Sequence, residues 1–214
     1  MAIKISVLGA SGRMGQLALS LIEQNPDLEL HSALSSHNSP AEAIGADLLV
    51  DLTKPDASVA IVDFAIQNNL KILVGTSGWS KEKLDALRDK MVGSRATVVV
   101  VPNFSIGSVL ATKFAAEAAK YFDSIEITET HHTKKLDAPS GTALFTAQEI
   151  SRVRNGRSAK PVTDGNLAPV FNGVPITSLR IEDAHAEQEV LMAGPNETLY
   201  FKHVVDSHEV YAQG

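Results

Sequence analysis

The chain has 214 residues, 44% of them hydrophobic, and its 19 Lys and Arg against 25 Asp and Glu give a formal charge of −6. A chain of this length buries roughly 70% of its unfolded surface as one large or two small domains, and its acidic balance and few aromatics argue against a nucleic-acid partner. The absence of Cys excludes disulfides, thiolate metal sites and a cysteine nucleophile, and no apolar run nears the roughly 20 residues of a bilayer span, so a cytoplasmic protein with no membrane partner is expected.

Ile3 to Leu8 is a short β-branched run halted by glycine and reads as a buried strand. Arg13 to Gln24 has helical spacing of Met14, Leu17, Leu21 and Ile22, and Asn25-Pro26 stops it. Leu28 to Leu34 reads as a second strand. The cycle repeats with strands at Asp47 to Leu52, Ile72 to Val74 and Thr97 to Val101, and helices at Ser58 to Gln67 and Lys81 to Met91. Nearly all-apolar strands alternating with helices predict a parallel sheet covered on both faces. Beyond Val101 the pattern changes. Ile106 to Phe122 is an Ala-rich helix, Ser124 to Thr130 a strand, and Ser140 to Val153 a helix that follows a polar His/Lys loop. Residues 155–175 read as a long loop, and strands follow at Ile176 to Ile181, Glu187 to Met192 and Thr198 to Val205, the last two forming a hairpin. The expected fold class is α/β, with a parallel nucleotide-type domain before a boundary near Ser105 and a mixed α+β domain after it.

Gly9-Ala10-Ser11-Gly12-Arg13-Met14-Gly15 closes the first strand and opens the first helix. Glycines there allow a tight turn and close approach of a diphosphate to backbone N–H groups, and the helix N-terminus favours negative charge. A purely structural turn is the alternative; the strand-to-helix position favours the cofactor. Arg13 adds a side chain able to reach a phosphate. The spacing is G-x-x-G-x-x-G, and Ser35-Ser36-His37-Asn38 offers neither the acid that selects NAD nor the Arg that claims the extra phosphate of NADP. Cofactor choice therefore stays open. Gly75-Thr76-Ser77-Gly78 and Pro102-Asn103-Phe104-Ser105 follow later strands at the same carboxyl edge. Each alone is ordinary connection chemistry; together they read as walls of a nicotinamide site.

The segment from Glu129 to Thr142 carries the strongest signal. It places His131, His132, Lys134 and Lys135 side by side, which is costly unless an anion sits among them. Ser140-Gly141-Thr142 follows Pro139 and opens a helix, providing a second anion site. A small dicarboxylate fits between the two, with a solvated basic loop as the bland alternative. A metal on His131 and His132 is disfavoured, because adjacent strand residues point to opposite faces and no carboxylate cluster is nearby.

These motifs, together with Val50-Asp51-Leu52-Thr53-Lys54-Pro55, occur in the order found in the 4-hydroxy-tetrahydrodipicolinate (dihydrodipicolinate) reductases of the diaminopimelate route to lysine. The chain resembles that family over residues 9–142, and more weakly at Gln188-Glu189-Val190 and Glu197-Thr198-Leu199. The resemblance implies a Rossmann-like domain over 1–104 joined by residues 206–214. It also implies a substrate domain over 105–205 whose sheet builds a homotetramer, and NADH or NADPH as hydride donor. It implies His131 as proton donor/acceptor, Lys135 as proton donor, His132 as a substrate contact, and Gly141 with Thr142, beside Ser140, as the carboxylate site. The implied cofactor contacts are Gly9, Ala10, Ser11, Gly12, Arg13, Met14, Gly75, Thr76, Ser77, Val101, Pro102, Asn103 and Phe104. Hydride addition to a conjugated ring leaves electron density toward the ring nitrogen, and a cationic group acidified by neighbouring charges suits its protonation near neutral pH.

Three departures stand out. Thr133-Lys134 replaces a further His or Arg, and the segment between the second and third strands is short. Val210 to Gly214 resembles the opening of the family's last helix, after which the chain stops, as in a truncated member. The rival readings are weaker. A short-chain dehydrogenase needs Tyr-x-x-x-Lys, and neither Tyr121, Tyr200 nor Tyr211 has a Lys four residues on. A non-catalytic NAD(P) sensor has no use for His131, Lys135 and the Ser-Gly-Thr start together. A related two-domain amino-acid dehydrogenase differs by substrate alone.

Overall fold

The structure, a computed structural model, describes residues 1–163, 165 and 168–214. Contacts divide the chain into Met1–Phe104 and Ser105–Gly214, with residues 206–214 in the second unit.

The first unit contains strands β1 (Ile3–Leu8), β2 (Leu28–Leu34), β3 (Leu48–Asp51), β4 (Lys71–Val74) and β5 (Thr97–Val100), with helices α1 (Arg13–Gln24), α2 (Pro55–Gln67) and α3 (Lys81–Met91). All strand pairs are parallel, in the order β2-β1-β3-β4-β5. Successive residues serve opposite faces. Val7 and Val50 pack with Ala18, Leu19 and Ile22 of α1, whereas Leu8 and Leu49 pack with Ile61, Val62 and Ala65 of α2 and Leu87 of α3. Burial on both sides is why adjacent apolar residues stand at Val7-Leu8 and Leu49-Val50, whereas the edge strand β2 keeps Glu29, His31 and Ser32. Helix α2 begins at Pro55 rather than Ser58, because proline's fixed φ and missing N–H suit the first helical position. The order of strands reverses direction between β1 and β3, and a ligand crevice forms at the carboxyl ends beside such a reversal.

The second unit contains α4 (Ile106–Ala118), β6 (Ser124–His131), α5 (Gly141–Val153), β7 (Val170–Phe171), β8 (Val174–Arg180), β9 (Ala186–Ala193) and β10 (Thr198–Val205). Its sheet has the order β10-β9-β6-β8-β7 and is mixed, with β6 parallel to β8 and antiparallel to β9. Ile125, Ile127, Val174, Ile176, Val190 and Met192 pack against Ala115, Ala119, Ala143, Ala147 and Ile150 of the helix layer. The small alanines let the helices lie close to the sheet.

Some boundaries differ from expectation. Helix α4 stops at Ala118 instead of Phe122, and Arg154 donates to the carbonyls of Ala119 and Phe122 in place of further helical bonds. The expected loop 155–175 includes the β7–β8 hairpin, although residues 164, 166 and 167 lie outside the described ones. Asn172 (φ 48°) and Gly173 (φ 75°) turn that hairpin in left-handed conformations, as an Asn-Gly pair readily does. The expected opening of a last helix is instead a 3-10 turn over His208–Gln213.

Candidate active site

Strand alternation places Ile125, Ile127, Glu129 and His131 on one face of β6, the isoleucines in the core and the last two at its polar end. Glu129 is fully buried and fully engaged. His131 Nδ1 lies 2.5 Å from Oε2, and the Ser140 backbone N–H donates to Oε1 at 3.2 Å. Arg180 donates from Nη1 to Oε2 at 3.1 Å and from Nη2 to Oε1 at 3.0 Å. Arg180 is the registered neighbour of His131 on β8, and its Nη2 also donates to the Asp137 carbonyl at 2.6 Å. Burial pushes the Glu129 carboxyl up, but hydrogen bonds from Arg180, Ser178 and His131 outweigh it and hold the group below the usual range. For His131, burial is the leading influence and lowers its pKa; Glu129 opposes this, and Lys135 and Arg180 add to it. The sequence points to cations alone as the acidifying influence. Burial leads instead, because the ring has only 16% side-chain exposure.

Lys135 Nζ donates to Asp137 Oδ1 at 2.7 Å, and the Asp137 side chain is 60% exposed. So exposed an ion pair is weak and readily exchanged for a ligand anion. His132 Nδ1 is buried with no hydrogen-bond partner among the described residues, a polar atom whose desolvation a ligand would offset. Ser140 caps α5, its Oγ accepting from the Ala143 N–H at 3.2 Å, so its hydroxyl serves the helix. Gly141 follows at the first helical position, and a Cβ there would meet nothing within 4 Å. Open space thus lies over the first turn of α5, where the helix dipole favours an anion. Lys134 is exposed.

In the first unit, Gly9 has φ +85°, and a Cβ there would approach the Leu52 carbonyl oxygen to 2.5 Å. A Cβ on Gly15 would meet the backbone of Gly9 and Ala10, so both glycines are dictated by the tight return from β1 into α1. The loop is pinned by Gly9 and Ala10 N–H donating to the Leu34 carbonyl at 2.9 and 3.0 Å, and by Gln16 Nε2 donating to the Ala10 carbonyl at 2.7 Å. Gly12 caps α1 with no side-chain hydrogen bond. The first-turn N–H groups are therefore left to a phosphate, and the Cβ-free loop fits a dinucleotide. Ser11, Gly12 and Arg13 are exposed and Met14 is half-buried.

The loops after β3 and β4 are tied to each other through Asp51, buried at the end of β3. Asp51 accepts from Thr53 Oγ1 at 2.5 Å, from Thr76 Oγ1 at 3.2 Å and from Ser58 Oγ. Thr76 thus commits its hydroxyl inward, leaving the loop backbone and exposed Ser77 toward solvent. A Cβ on Gly75 would meet the Phe104 ring at 2.5 Å, so Phe104 packs directly on Gly75. After β2, Ser35 N and Oγ both donate to Asn38 Oδ1 at 3.0 Å, closing the turn that carries Ser36 and His37.

The structure brings His131, Ser140 and Arg180 onto Glu129, with Lys135 within the field of His131, and keeps the three loops expected to hold a cofactor at the carboxyl ends of the first sheet. Glu129, Arg180 and Asp51 were not singled out from sequence. Glu129 had a signal, since it stands two residues before His131 on a strand. Arg180 had none, because its contact to Glu129 spans 51 residues.

Residues 3–104 match the family described as dihydrodipicolinate reductase, N-terminus, and residues 107–214 match the one described as dihydrodipicolinate reductase, C-terminus. A 4-hydroxy-tetrahydrodipicolinate reductase of Clavibacter michiganensis subsp. michiganensis is 40% identical over 218 residues, spanning 100% of this chain and 79% of that protein. One from Streptomyces griseus is 39% identical over 222 residues, spanning 99% and 89%. The solved dipicolinate-bound dihydrodipicolinate reductase of Paenisporosarcina sp. has a TM-score of 0.78 at 30% identity, covering 99% of this chain and 91% of that one.

Proposed function

The chain belongs to the dihydrodipicolinate reductase family, and on that premise we propose that His131 and Lys135 carry its proton chemistry. The reaction is the NAD(P)H-dependent reduction of 4-hydroxy-tetrahydrodipicolinate to tetrahydrodipicolinate in the diaminopimelate route of lysine biosynthesis. It consumes one NAD(P)H and one proton and releases water. The nicotinamide cofactor, when bound, supplies the hydride.

The residues of the first unit would hold that cofactor. Gly9, Ala10, Ser11, Gly12, Arg13 and Met14 cradle the diphosphate, and Gly75, Thr76, Ser77 and residues 101–104 flank the nicotinamide end. Residues 1–104 are accordingly the dinucleotide domain and residues 105–205 the substrate domain. Lys135 delivers the proton that hydride addition calls for, and His131 exchanges a proton with substrate at Nε2, the ring nitrogen not engaged by Glu129. His132 contacts substrate through its unpartnered Nδ1, and Gly141 with Thr142, behind the Ser140 cap, receives one ring carboxylate. A planar dicarboxylate thereby has an anchor at each end.

The observation that carries this reading is His131 held on buried Glu129 within the field of Lys135, beside the start of α5. The test is direct. The aldol product of pyruvate and aspartate semialdehyde is supplied with NADH or NADPH, and the fall in reduced-cofactor absorbance is followed. Oxidation that requires the condensation product is expected; none with either cofactor rejects the reading.

Assembly and location complete the proposal. The sheet face of the second unit opposite the helices presents Leu179 (40% exposed), Tyr200 (57%) and Val204 (47%). Apolar strand residues in that number favour burial against other copies, and a homotetramer is the assembly assigned. No helix among the described residues is long and apolar enough to cross a membrane. The cysteine-free composition supports a cytoplasmic enzyme.

A further inference from the structure

We propose that Arg180 is a positioning residue for His131: acting through Glu129, it keeps the imidazole neutral with Nε2 as the bare nitrogen, so that His131 takes up the proton from the ring carbon between the hydroxyl-bearing carbon and the imine and returns it to the departing hydroxyl, which leaves as water. The proposal rests on the reading of His131 as a proton-transfer residue, and it assigns proton delivery to Lys135.

The tautomer follows from the partners. An ionised carboxylate only accepts, so the short approach of His131 Nδ1 to Glu129 Oε2 requires the proton on Nδ1. A neutral ring then has its lone pair on Nε2. Had Glu129 stood alone, its buried negative charge would favour the imidazolium, as an opposite charge at contact distance does. It does not stand alone. Arg180 takes both carboxylate oxygens, and the Ser140 N–H adds a further bond to Oε1. Arg180 is itself fixed by donating to the carbonyls of Leu179 and Asp137, both at 2.6 Å. The guanidinium cancels the carboxylate's charge, and a proton on His131 would leave an uncompensated positive charge in a poorly hydrated place.

The other groups bearing on the ring point the same way. Lys135, from the loop after β6, opposes a second positive charge, and its partner Asp137 is spent on it. Ala186 of β9, opposite His131 across the other strand pair, brings no charge, and α5 contributes its uncharged start. Burial lowers the His131 pKa in the same sense. A merely structural Arg180–Glu129 pair would stabilise the end of β6 without governing the ring.

The test is a pH titration of the His131 ring nitrogens by 15N-detected NMR on the full chain, with the signal assigned by its loss in His131→Gln. In the parent, an Nδ1–H tautomer at pH 8 is expected. Arg180→Met should raise the midpoint by about one pH unit, since the carboxylate then acts on the ring unopposed. Arg180→Lys should return it toward the parent value. Glu129→Gln should lower it, because the guanidinium is left without its anion. The limb of the kcat profile should move with the midpoint, while the Kd for NADH stays put. An Nε2–H tautomer in the parent, or an unmoved midpoint in Arg180→Met, overturns the proposal. Should Arg180→Met fail to fold, Arg180→Gln decides: a raised midpoint upholds the proposal and an unmoved or lowered one overturns it. Parent-level turnover in His131→Gln, with the shifts intact, instead rejects the catalytic reading beneath it.

Discussion

His131 and Lys135 are prepared differently by their surroundings. His131 is enclosed and bonded to a buried carboxylate, whereas Lys135 is paired with a largely exposed aspartate that a substrate carboxylate can displace. Both belong to the second unit and the glycine loop belongs to the first, so removing either should act on chemistry and spare cofactor binding. His131→Ala and Lys135→Ala are each expected to lower turnover by about 10²- to 10⁴-fold, the usual cost of a lost proton-transfer group. NADH affinity, followed by fluorescence titration, should be unchanged. Turnover within a few-fold of the parent in both variants would falsify the assignment. At this scale the sequence was informative. Crowded His and Lys beside a Ser-Gly-Thr helix start have no cheap structural explanation, while the acidifying influence of burial on His131 needed the fold to be seen.

Among the elements, α5 has a first turn that is capped by Ser140 and left open at Gly141, where a Cβ would touch nothing. Alanine is the better helix former by about 0.5–1 kcal/mol in helix interiors, so Gly141→Ala should leave the melting temperature level or slightly higher. The added methyl nonetheless stands where a ligand carboxylate would approach. Inhibition by pyridine-2,6-dicarboxylate should therefore weaken at least roughly tenfold, about 1.4 kcal/mol. An unchanged inhibition constant, with unchanged stability, would move the carboxylate site away from this turn. The turn after β2 is the second element with a consequence. With Ser35 and Asn38 bonded to each other and no acid or Arg at positions 35–38, both NADH and NADPH should support turnover. Ser35→Asp should shift kcat/KM toward NADH by repelling the extra phosphate. Strict use of NADH by the parent contradicts that account.

For the whole molecule, the two sheets are covered differently. Helices pack on both faces of the first, so its central strands turn apolar residues to both sides, as Val7 and Leu8 of β1 and Leu49 and Val50 of β3 do, whereas the second has a helix-covered face and one that shows Leu179, Tyr200 and Val204. If that second face joins copies, Tyr200→Glu should place charge inside the contact and shift the sedimentation coefficient from a tetramer to smaller species, with kcat or stability falling in step. A variant that sediments as the parent tetramer removes this face from the assembly, and a monomeric parent removes the assembly itself.

The sequence by itself determined what spacing within a segment encodes. Apolar runs marked the strands of the first sheet, two of them closed by Gly9 and Gly75, the loop from Gly9 to Gly15 marked a candidate dinucleotide site, and the run from His131 to Thr142 marked a candidate substrate site. The Asn172-Gly173 turn carries an equally local signal, inside a stretch whose Gly and Pro residues read as loop. Only the tertiary structure decided which side chains meet across strands. Thr76 reaches Asp51 across 25 positions, and Arg180 reaches Glu129 across 51. Such partners depend on strand order and register, which many distant packing contacts set jointly and no single segment carries. The guanidinium that engages the carboxylate behind His131 is therefore written in the β6–β8 pairing rather than in the motif around the histidine.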